Sequence, residues 1–260
     1  TLSYAGAPGD AIPASPGTDD IVPEATANDG YAPDDSFAGI AGFHAEYEAS
    51  YIGFSAEATV DLKPTENTNE YAYEVVTRAR GLARLVRSGT GREKSRFVYN
   101  ASGFWPARYQ LDDGTEKVEN DTDIVFDWAE GVAHSNYKGE PKDIAITPGM
   151  LDRLTADITT IHALRNGREP GSPELVDRNS IRVYEYTFQG KETVSVPAGE
   201  FRTVKYLRQR PGSSRATMIW YAPDVAYLPV KIENLKRGKS NVVMVATLLE
   251  PAPCEGCDTP

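Results

Sequence analysis

The residues able to do chemistry are few and scattered. The chain has three histidines, His44, His134 and His162, and two cysteines, Cys254 and Cys257, in Cys-Glu-Gly-Cys. A redox CxxC needs a helix N-terminus and a βαβ setting to lower its thiol pKa, and neither surrounds this one. A structural zinc site needs four ligands, and no second CxxC or CxxH pair supplies them. The pair reads as a local disulfide in a Pro-rich tail, with free thiols or a shared metal site as the other readings. The acids Asp112, Asp113, Glu116, Glu119, Asp121 and Asp123 suggest calcium but lack the EF-hand glycine and terminal glutamate, so they read as a solvated loop. His162, near Asp157, is better placed as a rim histidine than as a general base. There is no GxSxG elbow, HExxH or P-loop, and Gly89-Thr-Gly91 is a turn. Neither a catalytic residue nor a cofactor or metal site is expected. Arg78, Arg80, Arg84 and Arg87 cluster, and the first three share a parity that suits an anionic head group. The alternative is a solvated basic face pairing with acids elsewhere.

The elements that would position these groups are strands. Phe43, Ala45, Tyr47, Ala49 and Tyr51 alternate with His44, Glu46, Glu48 and Ser50. Phe54, Ala56, Ala58, Val60 and Leu62 do the same after Ile52-Gly53, a hairpin candidate. Period-two patterning with one polar face is what a half-solvated antiparallel strand requires. It returns at Tyr71 and Tyr73, Phe97 and Tyr99, Phe126 and Trp128, Tyr184 to Phe188, and Met218 to Trp220. The run 242–249 is apolar on both faces and should be a central or doubly covered strand. Between 148 and 166 the apolar spacing changes to three and four residues, with Thr147 able to cap and Gly167 to stop; this predicts an amphipathic helix. The expected fold is all-β and mainly antiparallel. It is a long curved meander or an open or closed barrel of ten to twelve strands, with the helix on or in it.

The 260 residues carry a net charge of −11, with 25% charged and 40% apolar residues. An acidic chain without a basic face is a poor nucleic-acid binder. No run of about 18 apolar residues exists to span a membrane as a helix. Seven acids and no Lys or Arg lie in residues 1–36, with five prolines. That segment reads as an extended arm, either a solvated leader or a docking arm using Tyr4, Ile12, Ile21, Val22 and Tyr31. Residues 37–250 read as one domain and 251–260 as a tail.

Three stretches carry a family resemblance. They are 148–158 around Asp152-Arg-Leu-Thr, 193–206 around Pro197-Ala-Gly, and 219–233 around Trp220-Tyr-Ala-Pro-Asp. In this order and spacing the chain resembles DUF3108, a bacterial exported family of unknown function, over roughly residues 37–250. The resemblance implies an envelope protein made with a signal peptide since removed, periplasmic or secreted. It also implies a β-rich fold similar in outline to the open barrels of periplasmic lipoprotein carriers. It brings no catalytic residues.

The aromatic stripe is either packed core or the lining of a ligand cavity. In the second case the expected function is a non-enzymatic binding protein for a hydrophobic or amphipathic envelope molecule. Tyr47, Tyr73, Phe126, Trp128, Tyr186 and Trp220 would line its pocket, Arg80 or Arg84 would meet a head group, and the helix would act as a lid. The alternative is an interaction subunit docking on a protein partner through residues 1–36 or edge strands. An enzyme acting on envelope polysaccharide or lipid is third.

Overall fold

Alternating sequence becomes an antiparallel meander in the computed structural model, which describes residues 39–51, 54–81, 89–115 and 121–251. The first eight strands follow one another as β1 (Phe43–Tyr51), β2 (Phe54–Pro64), β3 (Glu70–Arg80), β4 (Thr90–Asn100), β5 (Gly103–Asp112), β6 (Thr122–Asp127), β7 (Val132–Tyr137) and β8 (Glu140–Ala145). After helix α1 (Arg153–Arg165) and the small hairpin β9 (Glu174–Asp177) and β10 (Ser180–Val183), a second meander runs through β11 (Glu185–Val196), β12 (Gly199–Gln209), β13 (Arg215–Ala222), β14 (Leu228–Lys236) and β15 (Lys239–Pro251). The two meanders join because β15 pairs antiparallel with β1. The result is one 13-stranded sheet, ordered β11-β12-β13-β14-β15-β1-β2-β3-β4-β5-β6-β7-β8, beside the two-stranded β9–β10. The doubly apolar run 242–249 lies in β15, inside the sheet as its pattern predicts. The arm, the cysteine tail, Ile52-Gly53 and Arg84 lie outside the described residues.

The sheet is strongly curved. Strands β4 and β12 stand seven places apart in it, about 34 Å if flat at about 4.8 Å per strand. Yet α1, about 10–12 Å across, touches both. Thr155 Oγ1 lies 3.0 Å from Ser95 Oγ on β4, and Asp157 accepts from Arg208 on β12 at 2.6 Å. The sheet therefore wraps around the helix, with β8 and β11 as its edges among the described residues. The connection from one edge to the other passes through α1, so the helix occupies the hollow that the curvature makes.

A wrapped helix has no free solvent face. Leu154, Ile158, Ile161 and Leu164 are buried, but so are Thr155, Ala156 and Thr160 on other sides. This corrects the expected amphipathic lid: the helix is a plug. Its start also differs from the predicted residue 148. Pro148-Gly149 forms a turn, with Met150 N–H donating to Thr147 O at 3.1 Å, and Leu151 bridges in parallel to Leu175. Asp152, fully buried, is the cap: Oδ1 accepts from the N–H groups of Leu154 (2.8 Å) and Thr155 (2.9 Å). Its Oδ2 accepts from Ser95 Oγ and Thr155 Oγ1, each at 2.7 Å, which ties the helix N-terminus to β4. The stop is as predicted. Gly167 has φ 65° and donates to Leu164 O at 3.0 Å, while Arg168 N–H reaches Ala163 O at 2.9 Å, a Schellman ending.

Candidate functional site

Side chains on the concave face taper along the strands. On β3 the inward series runs Tyr71, Tyr73, Val75, Thr77, Ala79; on β4, in the same direction, it runs Tyr99, Phe97, Ser95, Glu93, Gly91. Register places Ala45, Val60, Val75, Glu93 and Leu111 in one row across five strands, then Tyr47, Ala58, Thr77 and Gly91, then Ala49, Ala56 and Ala79. At the large end these residues pack around α1. Tyr71 stacks on Phe97 at 5.6 Å, and Tyr99 Oη contacts His162 Nε2 at 2.9 Å. Burial, with the nearby Arg168 and Arg165, holds the His162 imidazole below its ordinary value.

At the small end the wall faces no other element among the described residues. Short side chains on a curved sheet leave a hollow, and a cavity of about 620 Å3 opens there to solvent. Its wall is mainly apolar, formed by Ala49, Ala56, Ala58, Val75, Ala79 and Leu111, with Val242 and Met244 from β15. Gly89, Gly91, Asp112 and Asp113 form part of its rim. Two loops meet there: a Cβ on Gly89 would lie 1.4 Å from Gly114 O, so neither loop has room for a side chain at that crossing.

The deep side of the cavity is polar. Glu93 lines it and accepts from Tyr109 Oη at 2.6 Å, with Arg153 Nε 3.6 Å from the same oxygen. Beyond stand Asp157 and Arg208, paired at 2.6 Å. The Asp157 and Arg208 side chains keep 36% and 22% of their accessible surface. Burial pushes the Asp157 carboxyl up while Arg208 pulls it back. Tyr47, Tyr73, Tyr186 and Tyr221 gather around the pair, and burial raises each phenol above its ordinary value. The Glu93 charge acts on Tyr73, Tyr109, Arg153 and Asp157 alike, linking the cavity floor to this inner cluster.

A model of the family described as protein of unknown function, DUF3108, matches residues 46–245. The chain belongs to the DUF3108 family. No curated protein matches it. Among solved structures the DUF3108 chain is similar to a β-barrel-like protein of family DUF1849 from Brucella abortus. The TM-score is 0.54 at 9% identity, covering 84% of this chain and 100% of that one. A candidate lipoprotein from Parabacteroides distasonis matches at TM-score 0.35 and 12% identity over 82% and 97% of the two chains. A candidate exported protein from Bacteroides fragilis does so at 0.35 and 12% over 82% and 98%. The first likeness shows a shared β-barrel-like fold. No helix among the described residues is long and apolar enough to cross a membrane.

The three family stretches turn out to be junctions of the fold. The first is the turn and Asp152 cap that seat α1. The second is the tip of the β11–β12 hairpin, where Ala198 N–H donates to Ala246 O on β15 at 3.0 Å. The third carries Trp220 and Tyr221 on opposite faces of β13.

The sequence-predicted pocket residues divide into three groups. Tyr47, whose Oη donates to Pro229 O at 2.8 Å, Tyr73, edge-on to Phe43, and Tyr186 come together around Asp157 and Arg208. Phe126 and Trp128 stack on each other at 5.8 Å in the core near β5, with Trp128 Nε1 donating to Pro106 O at 2.7 Å. Trp220 and Arg80 lie on the other face of the sheet, and strand parity is the reason. Trp220 is one residue from inward Tyr221; its ring lies under Lys231 (Nζ 4.5 Å) and Lys205 (5.6 Å), and its Nε1 donates to Glu192. Arg80 is seven residues from inward Tyr73 and pairs outside with Glu48 and Glu57. None of these seven lines the cavity. Arg84, Cys254 and Cys257 lie outside the described residues. The residues that form the cavity were missed, although the fall in side-chain size along the inward series of β2 and β3 signals it.

Proposed function

We propose that the protein is a binding protein of the bacterial envelope, holding a hydrophobic or amphipathic molecule in the tapered end of its curved sheet. The observation that carries this reading is the cavity of about 620 Å3 with its apolar wall, a size within the usual range of ligand sites. Helix α1 closes the other end and gives the cavity a floor, so a ligand enters from the Gly89 side and stops at Glu93. A location in the periplasm or outside the cell accords with the family resemblance. The edges β8 and β11, unpaired among the described residues, favour a second reading, strand addition by a protein partner.

Native mass spectrometry of the full chain, before and after mild organic extraction, tests the binding reading. An added mass that extraction removes is expected, together with recovery of an apolar fluorescent probe's binding afterwards. Thr77→Trp, at the exposed part of the wall, should abolish probe binding while the circular dichroism spectrum stays unchanged. A protein that carries no added mass and binds no apolar probe overturns the reading.

A further inference from the structure

Resting on that binding reading, we propose that the ligand is an amphiphile that enters head first, its polar head of zero net charge seated on the floor and its apolar chain toward the mouth. The geometry gives the orientation. The wall above the row of Val75 and Leu111 is mainly apolar, with Ser50, Ser55 and Thr77 the polar groups in it and Asp112 and Asp113 at the rim, whereas the floor presents Glu93 with Tyr109 and Arg153, and behind it Asp157 with Arg208. A chain-first ligand would press hydrocarbon against these charges and take them from water without replacement partners, which is strongly unfavourable.

The floor also selects the head. Two carboxylates, Glu93 and Asp157, stand with two guanidinium groups, Arg153 and Arg208, so formal charges cancel. A head with net charge would face a like charge in a site with little water, where the attraction on one side is offset by repulsion on the other. A neutral head rich in donors and acceptors meets both. Arg208 Nε is buried without a hydrogen-bond partner, a donor that an acceptor on such a head would satisfy. Both Asp157 and Arg208 retain accessible surface.

Four amphiphiles with the same eight-carbon chain test this by isothermal titration below micelle-forming concentrations: octyl glucoside, octanol, octyl sulfate and octyltrimethylammonium. On the unaltered protein, octyl glucoside should bind about tenfold more tightly than either ion, equivalent to about 1.4 kcal/mol. Glu93→Gln keeps an acceptor for Tyr109 but leaves the floor positive, and should move the preference toward octyl sulfate. Arg153→Gln should move it toward octyltrimethylammonium. Opposite shifts in the two variants support the head-first floor, and the ranking on the unaltered protein stands as evidence if a variant does not fold. Equal affinities for all four chains, unmoved by either substitution, overturn head-first binding while leaving a binding protein. Failure of all four, octanol included, overturns the binding reading itself.

Discussion

Replacing Asp152 by alanine tests whether the helix is held in the sheet by its cap. The carboxylate is fully buried and accepts four hydrogen bonds, two from backbone N–H groups of α1 and two from hydroxyls, one of them on β4. Ser95 and Thr155 remain 3.0 Å apart and can partner each other after the change, so their loss is partly recovered. The two backbone N–H groups, on the buried residues Leu154 and Thr155, have no such alternative. At about 1–3 kcal/mol for each buried donor left unpaired, and with caps at exposed ends costing about 1, the expected loss is about 3–5 kcal/mol. For a domain of this size each kcal/mol moves Tm by about 2–4 °C, so the fall should be about 10 °C or somewhat more. Asp152→Asn retains the acceptor toward the backbone and should lose less than half as much. Thermal unfolding followed by circular dichroism and tryptophan fluorescence reads both. A fall of less than about 3 °C for Asp152→Ala, or equal losses for the two variants, would refute the reasoning.

The His162 imidazole should titrate below its ordinary value of 6.5 because burial disfavours the charged ring. Its contribution to stability is present above about pH 6.5 and is lost as pH falls through the lower folded value; an NMR titration giving a value at or above 6.5 contradicts this. Trp220→Ala should cost about 3–5 kcal/mol, as for other buried tryptophans, yet leave probe binding intact, since the ring packs on the face away from the cavity. Loss of binding in a folded Trp220→Ala protein would place the site wrongly. Gly89→Ala forces a Cβ into the carbonyl of Gly114 and should destabilise by about 1–3 kcal/mol while weakening probe binding at the rim; an unchanged Tm would show that the loops separate freely.

Much of the fold was legible because each strand shows its inward and outward faces in its own residues. Tyr71 and Tyr73, or Phe43 and Ala45, need no partner to announce which side is dry. What local pattern cannot show is pairing between distant strands, so the junction of β15 with β1 was unpredictable, as was the resulting count of thirteen. The four-residue strands β9 and β10 are too short for alternation and depend on Arg178 adopting φ 57° in their turn. The helix start was misplaced because Met150 and Leu151 continue the apolar spacing, although Leu151 is held by Leu175 rather than by a helical turn. The cavity was hard to read for a different reason. The aromatic stripe reads equally as packed core or as lining; large rings fill space, and it is the alanines and glycines further along the same faces that leave it empty. Parity alone separates Arg80 from Tyr73 and Trp220 from Tyr221.

The pairing of Phe43 with Pro251 in the middle of the sheet has a consequence for how the molecule is made. Strands β1 to β8 can zip together as soon as the chain emerges where it folds, but β1 keeps one bare edge until nearly the last residue of β15 is available. The centre of the finished sheet is thus the last part to assemble, and every earlier intermediate displays an open strand next to an apolar face, the surface on which misfolded chains stick together. A permuted chain that joins β15 to β1 through a short linker and begins instead at β11 would form that centre from neighbours in sequence. It should refold faster and aggregate less than the natural order, at equal final stability.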